Sequence, residues 1–155
     1  DAYFGKVPPD RLKVLDNGLF FKGDGNYRSK IGISPKRALS VAGSYDAKNN
    51  VLTIVQYNKP EKPMPYVNSM WEMQSEPYNG DVINSYNDGP VGPGKKPLGP
   101  FYELETSSPA AELKKQESIE HIHRTFHFTG PEESLDYLAK EILGVDLETI
   151  KKAFK

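Results

Sequence analysis

The chain has 155 residues, 37% of them hydrophobic and 11% aromatic, which is enough for a single domain, 1–155, with one apolar core. Its formal net charge of -1 and its lack of basic clusters argue against nucleic acid and anionic membranes as partners. It contains no cysteine, which excludes disulfides and thiolate metal sites, and no apolar run long enough to predict a membrane span.

The chain begins at Asp1 rather than at methionine. We therefore expect a processed protein or a piece of a longer one, and an upstream half of the same protein is a potential partner. A chain without cysteine fits the cytoplasm and the periplasm alike. The compartment stays open, with a periplasmic or secreted location slightly favoured over a cytoplasmic one.

The chain opens with an arm, followed by two strands. Residues 1–12 include Pro8-Pro9 and show little periodicity, which predicts an extended surface segment. Strands are predicted over 18–22 and 28–33, because turn-forming residues at 23–26 separate two runs of strand-forming residues. The turn is expected to join these two strands.

A second strand pair is predicted over 38–45 and 51–57. The second of these runs, Val-Leu-Thr-Ile-Val-Gln-Tyr, is rich in β-branched residues, and a turn-forming stretch separates it from the first. The two runs together predict a hairpin. The next segment, 59–65, contains three prolines and is expected to be a loop or a sheet edge.

Two further strands are predicted before a long loop. Residues 67–74 alternate in a way that is typical of a strand, and residues 81–86 follow after a Pro-Asn-Gly turn. The segment 89–100 is dense in glycine and proline, which predicts an irregular loop. Loops of this length usually cover a site or wrap an edge.

The last predicted strand, 121–128, has two chemically different faces. Because side chains alternate along a strand, one face carries the three histidines and the other carries the aromatic residues, and we expect the aromatic face to contact the core. The first face comprises His121, His123, Thr125 and His127, and the second comprises Ile122, Arg124, Phe126 and Phe128.

Helices are predicted after this strand, over 130–144 and from Asp146 onward. Pro131 and two acids mark the first start, Gly144 marks its end, and Asp146 can cap the second helix. The residues expected to face the core are Leu135, Leu138, Ile142, Leu147, Ile150 and Phe154. The fold class predicted is therefore mainly β, an antiparallel β-sandwich over 13–128 with a C-terminal helical appendage over 130–155.

The main candidate site is the strand that carries Glu103 and Glu105. Their spacing of two residues places both carboxylates on one face of the strand, and Glu105 lies close to its end. Two neighbouring carboxylates in a partly enclosed site should raise the pKa of one of them through desolvation and mutual repulsion. A strand carboxylate can equally be a solvated surface group.

Other residues suit a sugar ligand. Trp71, the only tryptophan, is a possible stacking platform for a pyranose ring or a core filler. Asn84, Tyr86, Asn87 and Asp88 offer hydrogen-bonding groups to a polyol, although Asn-Asp-Gly also forms turns readily.

The histidine spacing permits a metal interpretation. His121 and His123 could direct two nitrogens to one ion, as in a cupin-like metal-binding sandwich, with Glu103 or Glu105 completing the ligand set. The alternative is a hydrogen-bonded polar face. The carboxylate expected a few residues downstream of such a pair is missing, so no metal and no cofactor are predicted.

The stretch Leu104-Glu105-Thr106-Ser107-Ser108-Pro109-Ala110, with Leu113, Glu117 and the strand ending Thr125-Phe126-His127-Phe128, resembles the C-terminal part of the galactose mutarotase (aldose 1-epimerase) superfamily. The resemblance implies a β-supersandwich, partial or shortened in this chain, and a small-molecule sugar or glycan as the ligand. It also implies that Glu105 is the general base that takes the proton of the anomeric hydroxyl. As a whole, the chain looks more like an uncharacterised branch of these proteins, of the kind described as a domain of unknown function.

The chain also departs from the superfamily pattern. The superfamily places its acid, a histidine, before the glutamate, whereas no histidine precedes His121 here. The first hypothesis is thus a carbohydrate-binding or carbohydrate-processing protein whose concave face presents Glu105, Glu103, Trp71 and the His121/His123 edge, and the resemblance implies that its activity is that of an aldose epimerase-like isomerase. The rival hypothesis is a non-catalytic structural or interaction module with the same fold.

Overall fold

The computed structural model of the protein describes residues 4–15, 18–70 and 72–155. Trp71 lies outside the described residues. Eight strands are present in the described part of the chain: β1 (Leu12–Leu15), β2 (Gly18–Phe21), β3 (Ser29–Ile33), β4 (Val41–Asp46), β5 (Val51–Tyr57), β6 (Ile83–Asn87), β7 (Tyr102–Thr106) and β8 (His123–Thr129). They are followed by the helix α1 (Glu132–Leu138), a π-helical turn (Ala139–Leu143) and the helix α2 (Leu147–Lys152).

The strands form three antiparallel sheets in the described residues. β1 pairs with β2, while the other two sheets have the orders β3-β6-β7 and β4-β5-β8. The mainly β, antiparallel fold class with C-terminal helices is therefore confirmed. The predicted hairpin of β4 and β5 is also confirmed, with Val41 opposite Gln56 and Asp46 opposite Val51.

Two of the strand predictions are wrong. The strands on either side of the turn 23–26 do not belong to one sheet, because β2 pairs with β1 and β3 pairs with β6. The alternating segment 67–74 forms no strand in its described residues, where only Tyr66 and Asn79 make an isolated bridge. Prolines at both ends of this segment remove donors that a longer ladder would need.

The two three-stranded sheets pack against each other through their inner faces. Tyr57 of β5 and Ile83 of β6 are buried in one cluster with Ala38, and Ile33 and Ala42 pack on it. Polar contacts continue the interface toward the ends of the strands, since the Oγ atom of Ser44 lies 2.7 Å from the hydroxyl of Tyr102. The faces of the strands that carry these residues are therefore the inner faces of a sandwich.

The helices cover the opposite face of the β4-β5-β8 sheet. Leu52 and Ile54 of β5 are buried together with Leu135, Ala139 and Leu147. Phe128 packs on this cluster, as predicted for the aromatic face of β8, whereas Phe126 stays 40% exposed at the sheet edge. The central strand β5 is thus covered on both faces, whereas most of β8 stays exposed.

The helix boundaries agree with those predicted from the sequence, but one residue that was predicted to face the core does not. Gly144 ends the first helical segment at φ 70°, and the Asp146 carboxylate accepts the Thr149 amide at 2.6 Å as the cap of α2. Ile142, predicted to face the core, is 40% exposed, and Leu143 packs inward instead. The π-helical turn has more residues per turn than an α-helix, which shifts the inward position by one residue.

Candidate functional site

Cross-strand register brings the polar residues of three strands together on the outer face of the β3-β6-β7 sheet. Tyr86 of β6 lies between Lys30 of β3 and Glu103 of β7, and Asn84 lies opposite Glu105 in the next row. Directly opposed residues point to the same side of a sheet. We call this surface the Glu105 face, formed by Lys30, Asp81, Asn84, Tyr86, Glu103 and Glu105.

Lys30 and Glu105 form an ion pair across the central strand. The Nζ atom of Lys30 lies 3.1 Å from Oε2 of Glu105, and the two side chains are 15% and 35% exposed. The second carboxylate oxygen of Glu105, Oε1, is buried and has no hydrogen-bond partner among the described residues. A buried acceptor without a donor costs about 1–3 kcal/mol. The face therefore contains an unused acceptor beside an ammonium group.

Glu103 is the second carboxyl group of the face. Partial desolvation raises its pKa although the residue is exposed, the negative charge of Glu105 and a side-chain hydrogen bond with Glu105 raise it further, and the charge of Lys30 lowers it. The raised pKa expected for one member of this pair is therefore found at Glu103. Two carboxyl groups in different environments can divide the roles of acid and base between them.

Asp81 is a third carboxyl group that the sequence analysis missed. A Cβ atom at Gly32 would lie only 1.9 Å from Oδ2 of Asp81, so the Asp81 side chain occupies the space above this glycine. Burial raises the pKa of Asp81. A glycine inside a strand often marks a close approach of another group, and Gly32 was the available signal.

Asn87 and Asp88 hold loops in place, and they do not offer their side chains to a ligand. The Oδ1 atom of Asn87 accepts the Gly25 amide at 2.9 Å, and its Nδ2 atom donates to the Tyr27 carbonyl at 2.9 Å. The Asp88 carboxylate accepts the Tyr86 hydroxyl at 2.7 Å and the Gly99 amide at 2.9 Å. Both side chains are buried, so we correct their predicted role in substrate binding to a structural one.

Tyr86 lies at the border of the Glu105 face. Its hydroxyl is engaged by Asp88, while its ring lies between the rings of Phe4, at 5.7 Å, and Phe101, at 6.0 Å. Burial raises the pKa of the phenol. Tyr86 therefore contributes an apolar wall to the face, and its hydroxyl is already in use.

His121 and His123 lie on the other side of the sheet from Glu105. The Oγ1 atom of Thr106 is 2.9 Å from Nε2 of His121 and 2.8 Å from Nδ1 of His123. Thr106 and Glu105 are neighbours in β7 and point to opposite faces. The prediction that the two histidines share a concave face with Glu105 is therefore wrong, and they bridge the two sheets of the sandwich instead.

A hydroxyl group can donate one hydrogen bond and accept two, so Thr106 can serve both imidazoles at once. No group of three or more His, Asp or Glu side chains that could hold a metal ion is found in the described part of the chain. Within the same residues, no helix is long and apolar enough to cross a membrane.

Residues 1–154 match the model of a protein family whose description is "Family of unknown function (DUF6786)". No curated protein and no solved structure matches the chain.

Proposed function

Since the chain belongs to the Family of unknown function (DUF6786), whose description names no activity, we propose from the Glu105 face that the protein binds a carbohydrate and processes it as a mutarotase-like isomerase. The observation that supports this proposal best is the buried, unpartnered Oε1 atom of Glu105 beside the ammonium group of Lys30. A sugar hydroxyl is both a donor and an acceptor. With the Glu105 side chain turned so that Oε1 reaches the surface, the hydroxyl can donate to Oε1 and accept from Nζ, which satisfies both groups at once.

The two glutamates supply the acid and base that anomerisation requires. In the proposed step Glu105 takes the proton of the anomeric hydroxyl while the bond between the anomeric carbon and the ring oxygen breaks. The electron pair of that bond goes to the ring oxygen, which takes the proton of Glu103. The open-chain aldehyde rotates, and closure in the reverse sense returns both protons to their original groups.

Glu103 takes the place of the acid that the sequence lacks. The superfamily resemblance implies a histidine for this role, and the histidines that follow Glu105 lie on or beyond the inner face of the sheet. Glu103 is on the same face as Glu105, two residues before it, and partial desolvation together with the charge of Glu105 raises its pKa, which favours the protonated form that an acid needs. Lys30 compensates the charge of the carboxylate that acts as base.

The variant Glu105→Gln tests the proposal. Free aldoses, galactose among them, are titrated into the wild-type protein and the variant by calorimetry, and the interconversion of their anomers is followed by optical rotation. We expect the variant to bind the sugar at least about tenfold more weakly, because a charged hydrogen bond is lost, and to lose the acceleration of anomer exchange. Its melting temperature should change little.

Glu112→Gln is the matched control, because Glu112 is an exposed glutamate outside the face. It should leave binding, exchange and melting temperature unchanged. The structural rival makes the opposite prediction. If the Lys30–Glu105 pair only ties β3 to β7, Glu105→Gln will lower the melting temperature and the wild-type protein will bind no sugar, and that outcome would refute the proposed function.

A further inference from the structure

A groove of about 520 Å³ lies next to the Glu105 face, at the end of the sheet where β3 begins. Residues 26–28 form one wall, and Pro90 and residues 92–95 form the other. Arg28 and Lys95 are the charged residues that line it, and no carboxylate lines it. In a chain with a net charge of -1, this is a locally positive concave surface.

Neither cation is neutralised by a carboxylate in the described part of the chain. Six other basic side chains there form ion pairs, namely Arg11, Lys22, Lys30, Lys140, Lys151 and Lys152. Arg28 and Lys95 are absent from these pairs. Asp88 lies two residues before Pro90 of the groove, but its carboxylate is buried and accepts the Tyr86 hydroxyl and the Gly99 amide. The groove therefore offers two positive charges to an anion.

The wall of the groove formed by residues 26–28 is held in place by contacts within the protein. Asn87 holds the first wall through the Gly25 amide and the Tyr27 carbonyl. Gly89 lies against the backbone of this wall, since a Cβ atom there would be 2.3 Å from the Arg28 nitrogen. Walls that are already ordered reduce the entropy that binding must overcome.

Arg28 connects the groove to the Glu105 face. Its guanidinium group lies 4.6 Å from the centroid of the Phe4 ring, which in turn contacts the Tyr86 ring. Arg28 also lies close enough to the Tyr86 hydroxyl to lower its pKa, and it precedes Lys30 by two residues, with Cα atoms about 7 Å apart. That separation is close to the length of one sugar ring.

We propose that this groove binds the anionic group of a saccharide whose ring lies over the Glu105 face. The ligand class is an acidic monosaccharide, with a carboxylate or a phosphate ester recognised by Arg28 and Lys95. A guanidinium group can bind either anion through two parallel hydrogen bonds. The inference rests on the proposed function, and it narrows the ligand from sugars in general to negatively charged ones.

The test compares three ligands that differ in charge: galactose, galacturonate and galactose carrying a phosphate ester. Each is titrated into the wild-type protein and the variants Arg28→Gln, Lys95→Gln and Glu105→Gln by calorimetry at low and moderate salt. Lys36→Gln is the control, because Lys36 is exposed and lies outside the groove. Lys95 is itself exposed, so its variant keeps the proposal testable if Arg28→Gln disturbs the packing on Phe4.

We expect at least one anionic ligand to bind at least about tenfold more tightly than galactose, and this advantage to shrink with added salt. Lys95→Gln and Arg28→Gln should remove the advantage and leave galactose binding unchanged, whereas Lys36→Gln should leave all affinities unchanged. The relative affinities of the uronate and the phosphate ester identify which anion is preferred.

Two results would overturn the inference, and they are distinguishable from each other. If all three ligands bind equally to the wild-type protein and to both groove variants, while Glu105→Gln weakens all of them, the groove has no role and the proposed function stands. If no saccharide binds, the proposed function fails together with the inference. Inorganic phosphate, followed by NMR through the amides of 26–28 and 92–95, then shows whether an anion site exists without a sugar.

Discussion

The helix-covered face of the β4-β5-β8 sheet and the Glu105 face of the β3-β6-β7 sheet are built on opposite principles. On the first, Leu52 and Ile54 are buried together with Leu135, Ala139 and Leu147 in one hydrophobic cluster. On the second, the exposed Glu103 lies beside the half-buried Lys30 and Glu105 and the buried Asn84.

The two faces differ in their effect on stability, because the helix-covered face stabilises the fold whereas the Glu105 face contains groups that cost stability. Burial of apolar side chains is the main favourable term in folding, and the helix-covered face maximises it. The Glu105 face leaves the Oε1 atom unpartnered and holds Glu103 and Asp81 in environments that raise their pKa values. Groups that cost stability are typical of functional sites. Three substitutions test this contrast.

The largest effect is expected for Leu135→Ala on the helix-covered face. The substitution removes most of a fully buried side chain and leaves a cavity between α1 and β5, so the free energy of unfolding should fall by about 3 kcal/mol. Urea denaturation measures this change. Leu98→Ala, at a leucine that is 86% exposed, is the control and should change the free energy by less than about 0.5 kcal/mol. Equal effects of the two variants would contradict the packing described for this face.

A smaller loss is expected for Gly43→Ala, which overfills the same face. The new Cβ atom would lie 2.5 Å from Cδ1 of Leu143 and 2.9 Å from the Thr53 carbonyl oxygen. Leu143 can move, but the backbone oxygen can move much less, so the free energy of unfolding should fall by about 1 to 3 kcal/mol. Gly18→Ala meets nothing within 4 Å and serves as the control in the same denaturation experiment. An unchanged free energy of unfolding in Gly43→Ala would mean that the helices are not tightly packed against the sheet.

The smallest effect, and one of opposite sign, is expected for Glu103→Gln on the Glu105 face. A carboxyl group whose pKa is raised by folding binds its proton more strongly in the native state than in the unfolded state. The free energy of unfolding therefore falls as the pH rises above 4.5, the ordinary pKa of this group, toward its higher pKa in the folded protein. Glutamine removes this penalty. The melting temperature of the variant should match that of the wild type near pH 4 and exceed it increasingly toward neutral pH.

Melting curves across this pH range, with the exposed Glu61→Gln as control, measure the difference. The difference in melting temperature between Glu61→Gln and the wild type should stay the same across the pH range. A Glu103→Gln variant that is less stable than the wild type at neutral pH would show that Glu103 makes a stabilising contact there.

Local patterns predicted those parts of the fold that depend on neighbouring residues. The hairpin of β4 and β5 follows from one β-branched run and one adjacent turn, and the helix ends follow from Gly144 and Asp146. The alternation of Glu103 and Glu105 also follows from their own strand. None of these features requires knowledge of a distant partner.

The features that the sequence did not predict depend on pairing between distant segments. The turn 23–26 can join a hairpin or pass between two sheets, and only the partners of β2 and β3 decide which. Lys30 meets Glu105 across β6, and no local signal identifies a contact between residues 75 positions apart. The buried roles of Asn87 and Asp88 were hidden for the same reason, because a turn-forming composition does not show what the turn is bonded to.

The pairing of β5 with β8 has a consequence for the order of events in folding. Tyr57 lies opposite His123, and all of β6 and β7 lie between these two residues in the chain. The β4-β5 hairpin can form once both of its strands have been synthesised. Its remaining partner strand, β8, is synthesised only after all the strands of the β3-β6-β7 sheet. Contacts so distant in sequence slow folding. During synthesis, the edge of β5 that pairs with β8 therefore has no partner strand until residue 129 has been made.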